Sequence, residues 1–93
     1  MLKKGDILIP VDNHYQYCMR VDLVKPEGVD WMKGYIYINA TRLNIDKNRQ
    51  PEFKRMSPGF IYHLQKTSSN NYITSNKMLY RLHSSEQGNL FYG

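Results

Sequence analysis

Hydrophobic and polar residues alternate along much of this chain. In KGYIYINATRL, Lys33 to Leu43, Ile36, Ile38 and Ala40 fall on one side, and Lys33, Tyr35, Tyr37, Asn39 and Thr41 on the other. A strand turns successive side chains to opposite faces, so this period predicts a half-buried strand. One face is core; the other carries two tyrosines and a lysine. The same period predicts a first strand over GDILIPV, with Ile7, Ile9 and Val11 inward. Pro10 lacks a backbone donor and marks an edge or an end there. A turn at Asp12–His14 leads to a second strand, YQYCMRVDLVK, in which Tyr17, Met19, Val21 and Leu23 share a face. PEGVDW, Pro26 to Trp31, reads as a loop.

The second half is less regular. NIDKNRQPEFKRMSPG is polar, basic and interrupted by two prolines. It is too long for a tight hairpin turn and is expected to be an exposed loop with room for a helical turn. GFIYHLQKT fits a strand with Phe60, Tyr62 and Leu64 inward. It also fits a helix capped by Ser57 with Pro58 in its first position. The strand is preferred, because Ile, Tyr and Phe favour strands and Gly59 is poor inside a helix. YITSNKMLYRLH reads as a further strand or hairpin with Met78, Tyr80 and Leu82 on one face, and a short helix from Asn76 is the alternative. A single domain over 1–83, followed by a tail over 84–93 that ends in Leu90, Phe91 and Tyr92, completes the organisation.

About five short strands are too few for a large sandwich. They suit a mainly β fold: a small, strongly bent antiparallel sheet or barrel, with room for one short helix, because closure buries one face and removes edges. LKKGDILIPV resembles the opening of SH3-like small barrels, including KOW and Tudor-type modules, where Lys-Gly-Asp leads into an apolar first strand. The resemblance covers Lys4 to Val11 and the general strand count. It implies the barrel and carries over no binding residues.

Size and composition narrow the function. A chain of 93 residues is one domain and buries roughly 60–65% of its unfolded surface. No apolar run approaches the ~20 residues of a membrane helix. The apolar run Ile7–Ile9 is too short for a signal peptide. Cys18 is the single cysteine, so no internal disulfide forms, and a reducing, cytoplasmic setting is expected. The net charge of +5 is unevenly placed. Basic and acidic residues balance up to Ala40; from Thr41 onward eight basic residues face three acidic ones. That asymmetry points to an anionic partner.

Catalytic and metal-binding signatures are weak. His14 and Cys18 lie roughly 13 Å apart on an extended strand, too far for joint ligation, and there is no CxxC or HxxxH spacing. Cys18 has no adjacent base to lower its thiol pKa. The acids Asp6, Asp12, Asp22 and Asp30 are scattered, and single glycines do not make a phosphate loop. The expectation is a binding protein, not an enzyme, with no catalytic residues, no metal and no cofactor.

What remains is a basic segment beside aromatic residues. Arg42, Lys47, Arg49, Lys54 and Arg55 fall within RLNIDKNRQPEFKR. They are expected to contact a nucleic-acid backbone, DNA or RNA. Lys33, Tyr35 and Tyr37 adjoin the segment through the third strand, with the tyrosines as stacking surfaces. Little sequence specificity is expected. The rival reading is a small module, of the kind phages encode to modulate a host protein, that docks on an acidic protein surface. Tyr and Arg are frequent at such interfaces, and Phe91 and Tyr92 are candidate anchors.

Overall fold

The computed structural model describes residues 2–25 and 34–83. They form six strands: β1 (Ile7–Pro10), β2 (Tyr17–Lys25), β3 (Ile36–Ile45), β4 (Pro51–Ser68), β5 (Asn71–Thr74) and β6 (Leu79–His83). Every neighbouring pair is antiparallel. The order is the chain order, and β6 returns to β1 to close the barrel. Among the described residues there is no helix. The fold is thus the expected small antiparallel barrel, with six strands where about five were read. The extra one arises because YITSNKMLYRLH is a hairpin, β5 and β6. Residues 26–33 and the expected tail at 84–93 lie outside the described residues.

The main core is the barrel interior. Leu8, Met19, Val21, Ile38, Ala40, Leu64, Tyr72 and Tyr80 are buried there with Leu2. Each fully buried aliphatic contributes about 1.5–3 kcal/mol of transfer free energy. β1 is buried on both sides: Leu8 faces this core, while Ile7 and Ile9 join Cys18, Leu43 and Ile45 in a second cluster. The expectation that Ile7 and Ile9 fill the one core therefore gives way to two clusters. Val11, expected inward, is exposed.

Two irregularities break the simple alternation. The β2–β3 register shifts between Val21 and Leu23. An extra residue in one strand re-aims the side chains beyond it. Leu23 accordingly turns out, 44% exposed, and Val24 packs on the core. The β3–β4 register shifts between Ala40 and Arg42. Thr41, expected on the polar face, is 2% exposed. Its hydroxyl donates to Asp22 Oδ2 at 2.5 Å and accepts from Arg20 Nη2 at 3.3 Å. A buried hydroxyl is tolerated there because both partners are supplied.

The expected loop after β3 is the largest departure. The chain reverses within Asp46–Gln50, and β4 begins at once at Pro51. Asp46 Oδ1 accepts the N–H groups of Asn48 at 2.8 Å and Gln50 at 2.9 Å. Arg49 N donates to Asp46 O at 3.0 Å, and Arg49 takes φ 60°. A type I turn closed by one left-handed residue makes a short hairpin connection. The β5–β6 turn repeats this design with different letters. Thr74 stands for Asp46, Lys77 at φ 74° stands for Arg49, and Lys77 N donates to Thr74 O at 2.9 Å. The Thr74 hydroxyl accepts the Met78 N–H at 3.0 Å and lies within hydrogen-bonding distance of Asn76 Oδ1. The helix readings at 58–67 and from Asn76 are both replaced by strands.

Candidate functional site

β4 does not run flat beside β3. Arg42 pairs with Ser57, and Asn44 pairs with Glu52, so two steps along β3 correspond to five along β4. Phe53, Lys54, Arg55 and Met56 stand opposite the single residue Leu43, an excess of three, and all four are exposed. Wide bulges commonly re-aim side chains beside functional sites.

Directly paired residues share a face of the sheet. Arg42 pairs with the core residue Met19 on one side and with Ser57 on the other, and Tyr17 pairs with Asn44. These residues therefore continue the core face beyond its last apolar members. There Arg42 is flanked from both neighbouring strands. Its guanidinium carbon lies 4.8 Å from the Tyr17 ring centroid and 4.3 Å from that of Phe60. Each flanking ring has a further ring beside it. Tyr15 meets Tyr17 edge-on at 5.7 Å, and Tyr62 stacks on Phe60 at 6.4 Å with 22° between planes. The result is a belt, Tyr15–Tyr17–Arg42–Phe60–Tyr62, running across three strands.

A depression of about 290 Å³ opens beside this belt, lined by Tyr17, Arg42, Asn44, Arg55 and Ser57. Among the described residues its lining holds two arginines and no carboxylate; Glu52, the β4 partner of Asn44, shares that face but stands outside the lining. Arg42 Nε is buried and has no hydrogen-bond partner. Beneath, burial pushes the Tyr80 hydroxyl well above the ordinary phenol range, with Tyr62 and Tyr15 adding to the effect and Arg42 opposing it. Tyr80 stays a neutral phenol at physiological pH and supplies no counter-charge. A larger hollow of about 480 Å³ lies at the β5–β6 turn, among Val11, Asp12, Asn76, Lys77, Met78 and Leu79. It contains one cation beside one carboxylate and carries no comparable convergence.

The other cations divide into engaged and unengaged. Among the described residues Lys3 pairs with Asp6 and Arg20 with Asp22. Arg49 donates to four backbone carbonyls: Nη1 to Tyr15 at 3.1 Å and Asn13 at 3.5 Å, and Nη2 to Pro10 at 3.1 Å and Asp12 at 3.3 Å. Its guanidinium staples the β1–β2 loop to the β3–β4 turn. Lys47 at that turn, and Lys54 and Arg55 on the bulge, are exposed and form no ion pair with a described residue.

The tyrosines singled out by alternation sit elsewhere. Tyr37 pairs with Lys25 and His63. Lys25 Nζ lies 4.8 Å from its ring centroid, and the His63 ring meets it edge-on at 5.5 Å. Five residues separate Tyr37 from Arg42, roughly 16 Å along a strand, and Tyr37 pairs on the face opposite Ile38. Tyr35 is half-buried just before β3. Lys33 lies outside the described residues. The structure thus brings Arg42 and Arg55 together, leaves Lys47 and Lys54 nearby in sequence and exposed, saturates Arg49, and separates Tyr35 and Tyr37 from the group. It adds Tyr15, Tyr17, Asn44, Ser57, Phe60 and Tyr62. A visible signal existed for four of these: Tyr15/Tyr17 and Phe60/Tyr62 have the same two-residue spacing as Tyr35/Tyr37.

Cys18 is buried in the second cluster, and desolvation pushes its thiol up to about 11. A thiol held neutral is a poor nucleophile. Among the described residues no three of His, Cys, Asp and Glu gather as a metal-holding group, and no helix is long and apolar enough to cross a membrane. In comparisons with known proteins, no family, no curated protein and no solved structure matches the chain.

Proposed function

We propose that this chain is a non-enzymatic nucleic-acid-binding protein of low sequence specificity. The observation that carries the proposal is the Arg42–Arg55 depression: two guanidinium groups, no carboxylate in the lining, and aromatic rings on either side of Arg42. Rings from β2 and β4 hold the Arg42 guanidinium beside the depression. Guanidinium N–H donors suit the oxygens of a phosphate. Lys47 and Lys54 add exposed charge that can neutralise neighbouring phosphates. Low specificity belongs to the proposal because the contacts invoked are to phosphates, which carry no sequence information. Kinship with SH3-like modules of KOW or Tudor type is part of the same proposal, supported by the Lys-Gly-Asp opening and a closed small barrel. The test is a mobility-shift titration with DNA and RNA at two salt concentrations. Retention that weakens steeply with salt supports the proposal; no retention at low salt removes it.

A second reading is favoured by a different observation. Phe53 is 55% exposed, and Met56 and Ile61 are also exposed, all on β4. Large apolar side chains on a protruding segment suit docking on another protein. The basic bulge then meets an acidic surface. Co-purification of one stoichiometric protein after nuclease treatment, in a chain that binds neither DNA nor RNA, selects this reading.

A further inference from the structure

We infer that the belt and its depression select single strands over duplexes, seating one phosphate between Arg42 and Arg55 with the adjoining base against the Tyr17 ring. This inference rests on the nucleic-acid reading proposed above and goes beyond it by naming the strand state and the contact that sets it.

Three observations lead there. The first is size. A depression of about 290 Å³ stands at the small end of ligand pockets, ~300–1,000 Å³, and has room for a phosphate group. The second is donor geometry. Arg42 is held by rings from β2 and β4, and Arg55 reaches the same hollow from the bulge. Two guanidiniums on one oxyanion give parallel charge-assisted hydrogen bonds, and Asn44 and Ser57 offer neutral donors at the rim. The third is the exposed ring. Tyr17 is 39% exposed although it contacts both Arg42 and Tyr15. Tyr17 itself lines the hollow, beside Arg42 and Arg55.

A base inside a duplex has both faces covered by its neighbours and cannot use that ring. An unpaired base can, and stacking on aromatic platforms is tolerant of sequence. Charge alone would favour the duplex, which carries the denser line of phosphates. The ring beside the cations therefore decides the preference, and strand state is the property that separates this surface from a merely basic one.

The experiment is fluorescence anisotropy with the full chain and labelled DNA of about 12 nucleotides. The probes are a single strand, the matching duplex, and a single strand of abasic sites. The single strand is expected to bind about tenfold more tightly than the duplex, and the abasic strand to lose most of that margin. Arg42→Lys keeps the charge but not the planar fork, and is expected to weaken single-strand binding about tenfold. Arg55→Ser and Tyr17→Ser change exposed side chains and are expected to weaken it severalfold, so the assignment stays testable if Arg42→Lys fails to fold. Duplex binding as tight as single-strand binding overturns the inference while leaving the proposed function standing, as does an abasic strand that binds undiminished. Folded Arg42→Lys and Arg55→Ser variants with unchanged affinity also overturn it. Binding to none of these probes overturns the inference, and binding to none of them nor to the matching RNA strand and RNA duplex overturns the proposed function itself.

Discussion

Arg42 and Arg49 sit seven residues apart in one basic stretch and do opposite things. Arg49 sends its N–H groups to four backbone carbonyls, and its charge fastens two turns together. Arg42 has a ring beside it from each neighbouring strand and no carboxylate partner among the described residues. One guanidinium has both terminal nitrogens engaged by the fold. The other is held at the edge of a depression. Net charge counts both equally, so a basic segment read from composition overstates its anion-binding surface by however many cations the backbone has already engaged.

The sharpest way to break this contrast is to remove each arginine and measure both stability and binding. Arg49→Ala is expected to have the largest effect on stability. Hydrogen bonds from a charged donor contribute about 1.5–3 kcal/mol each when well made, and these are partly exposed and partly long, so the expected loss is about 2–4 kcal/mol. Chemical denaturation of both variants measures it. Arg49→Ala should leave the affinity of the remaining folded protein for single-stranded DNA within about twofold, since its N–H groups do not face the ligand. Arg42→Lys should do the reverse, as argued above. Equal binding losses from the two would dissolve the distinction.

Salt dependence sharpens the contrast further. Each phosphate contact contributes about 0.7 to the slope of log affinity against log salt for single strands. Arg55→Ser removes a cation that makes no ion pair with a described residue and is expected to lower the slope by about that amount. Arg49→Lys should leave the slope unchanged. Titrations at several salt concentrations read both slopes directly.

Tyr37 tests the same idea for the aromatic residues. Its ring contacts Lys25 and His63 much as Tyr17 contacts Arg42 and Tyr15, but it lies on the opposite face of β3 and does not line the depression. Tyr37→Leu is expected to cost about 0.5–1 kcal/mol of stability from the lost ring contacts and to leave nucleic-acid affinity unchanged. Tyr17→Ser is expected to show the opposite pattern in the same anisotropy assay.

These residues also show what could be read before the fold was known. Alternation located β1, β2 and β3, placed Met19, Val21, Ile38 and Ala40 in the core, and led to a small antiparallel barrel. Those features depend on local period and short-range turns. The bulges were not legible, because an extra residue shows only against its partner strand; Leu23 is the consequence. Thr41 keeps the face that alternation gives it and is buried by Arg20 and Asp22. Nor was the start of β4. Its exposed, basic, proline-bearing residues look like a loop, and only the Asp46 side chain, which closes the turn by accepting two backbone N–H groups, marks the reversal. Among three aromatic pairs at the same spacing, the sequence could not show which two border Arg42. That depends on which strands neighbour β3 and in what register.

The smallest expected effect comes from the two matched turns. Arg49 and Lys77 both hold positive φ, 60° and 74°, in hairpins of the same design. A side chain with a Cβ is strained there, and glycine is not. Lys77 has no described hydrogen bond from its ammonium group to offset that strain, whereas Arg49 has its carbonyl staple. Lys77→Gly is therefore expected to raise stability by about 0.5–1 kcal/mol, the backbone gain being reduced by glycine's greater freedom in the unfolded chain. Arg49→Gly relieves the same strain but removes the staple, and the net change is expected to be a loss of about 1–3 kcal/mol. Opposite signs in paired denaturation curves are the prediction. If Arg49→Gly stabilises as Lys77→Gly does, the four carbonyl contacts contribute nothing to the fold, and Arg49 returns to the set of cations available to a ligand.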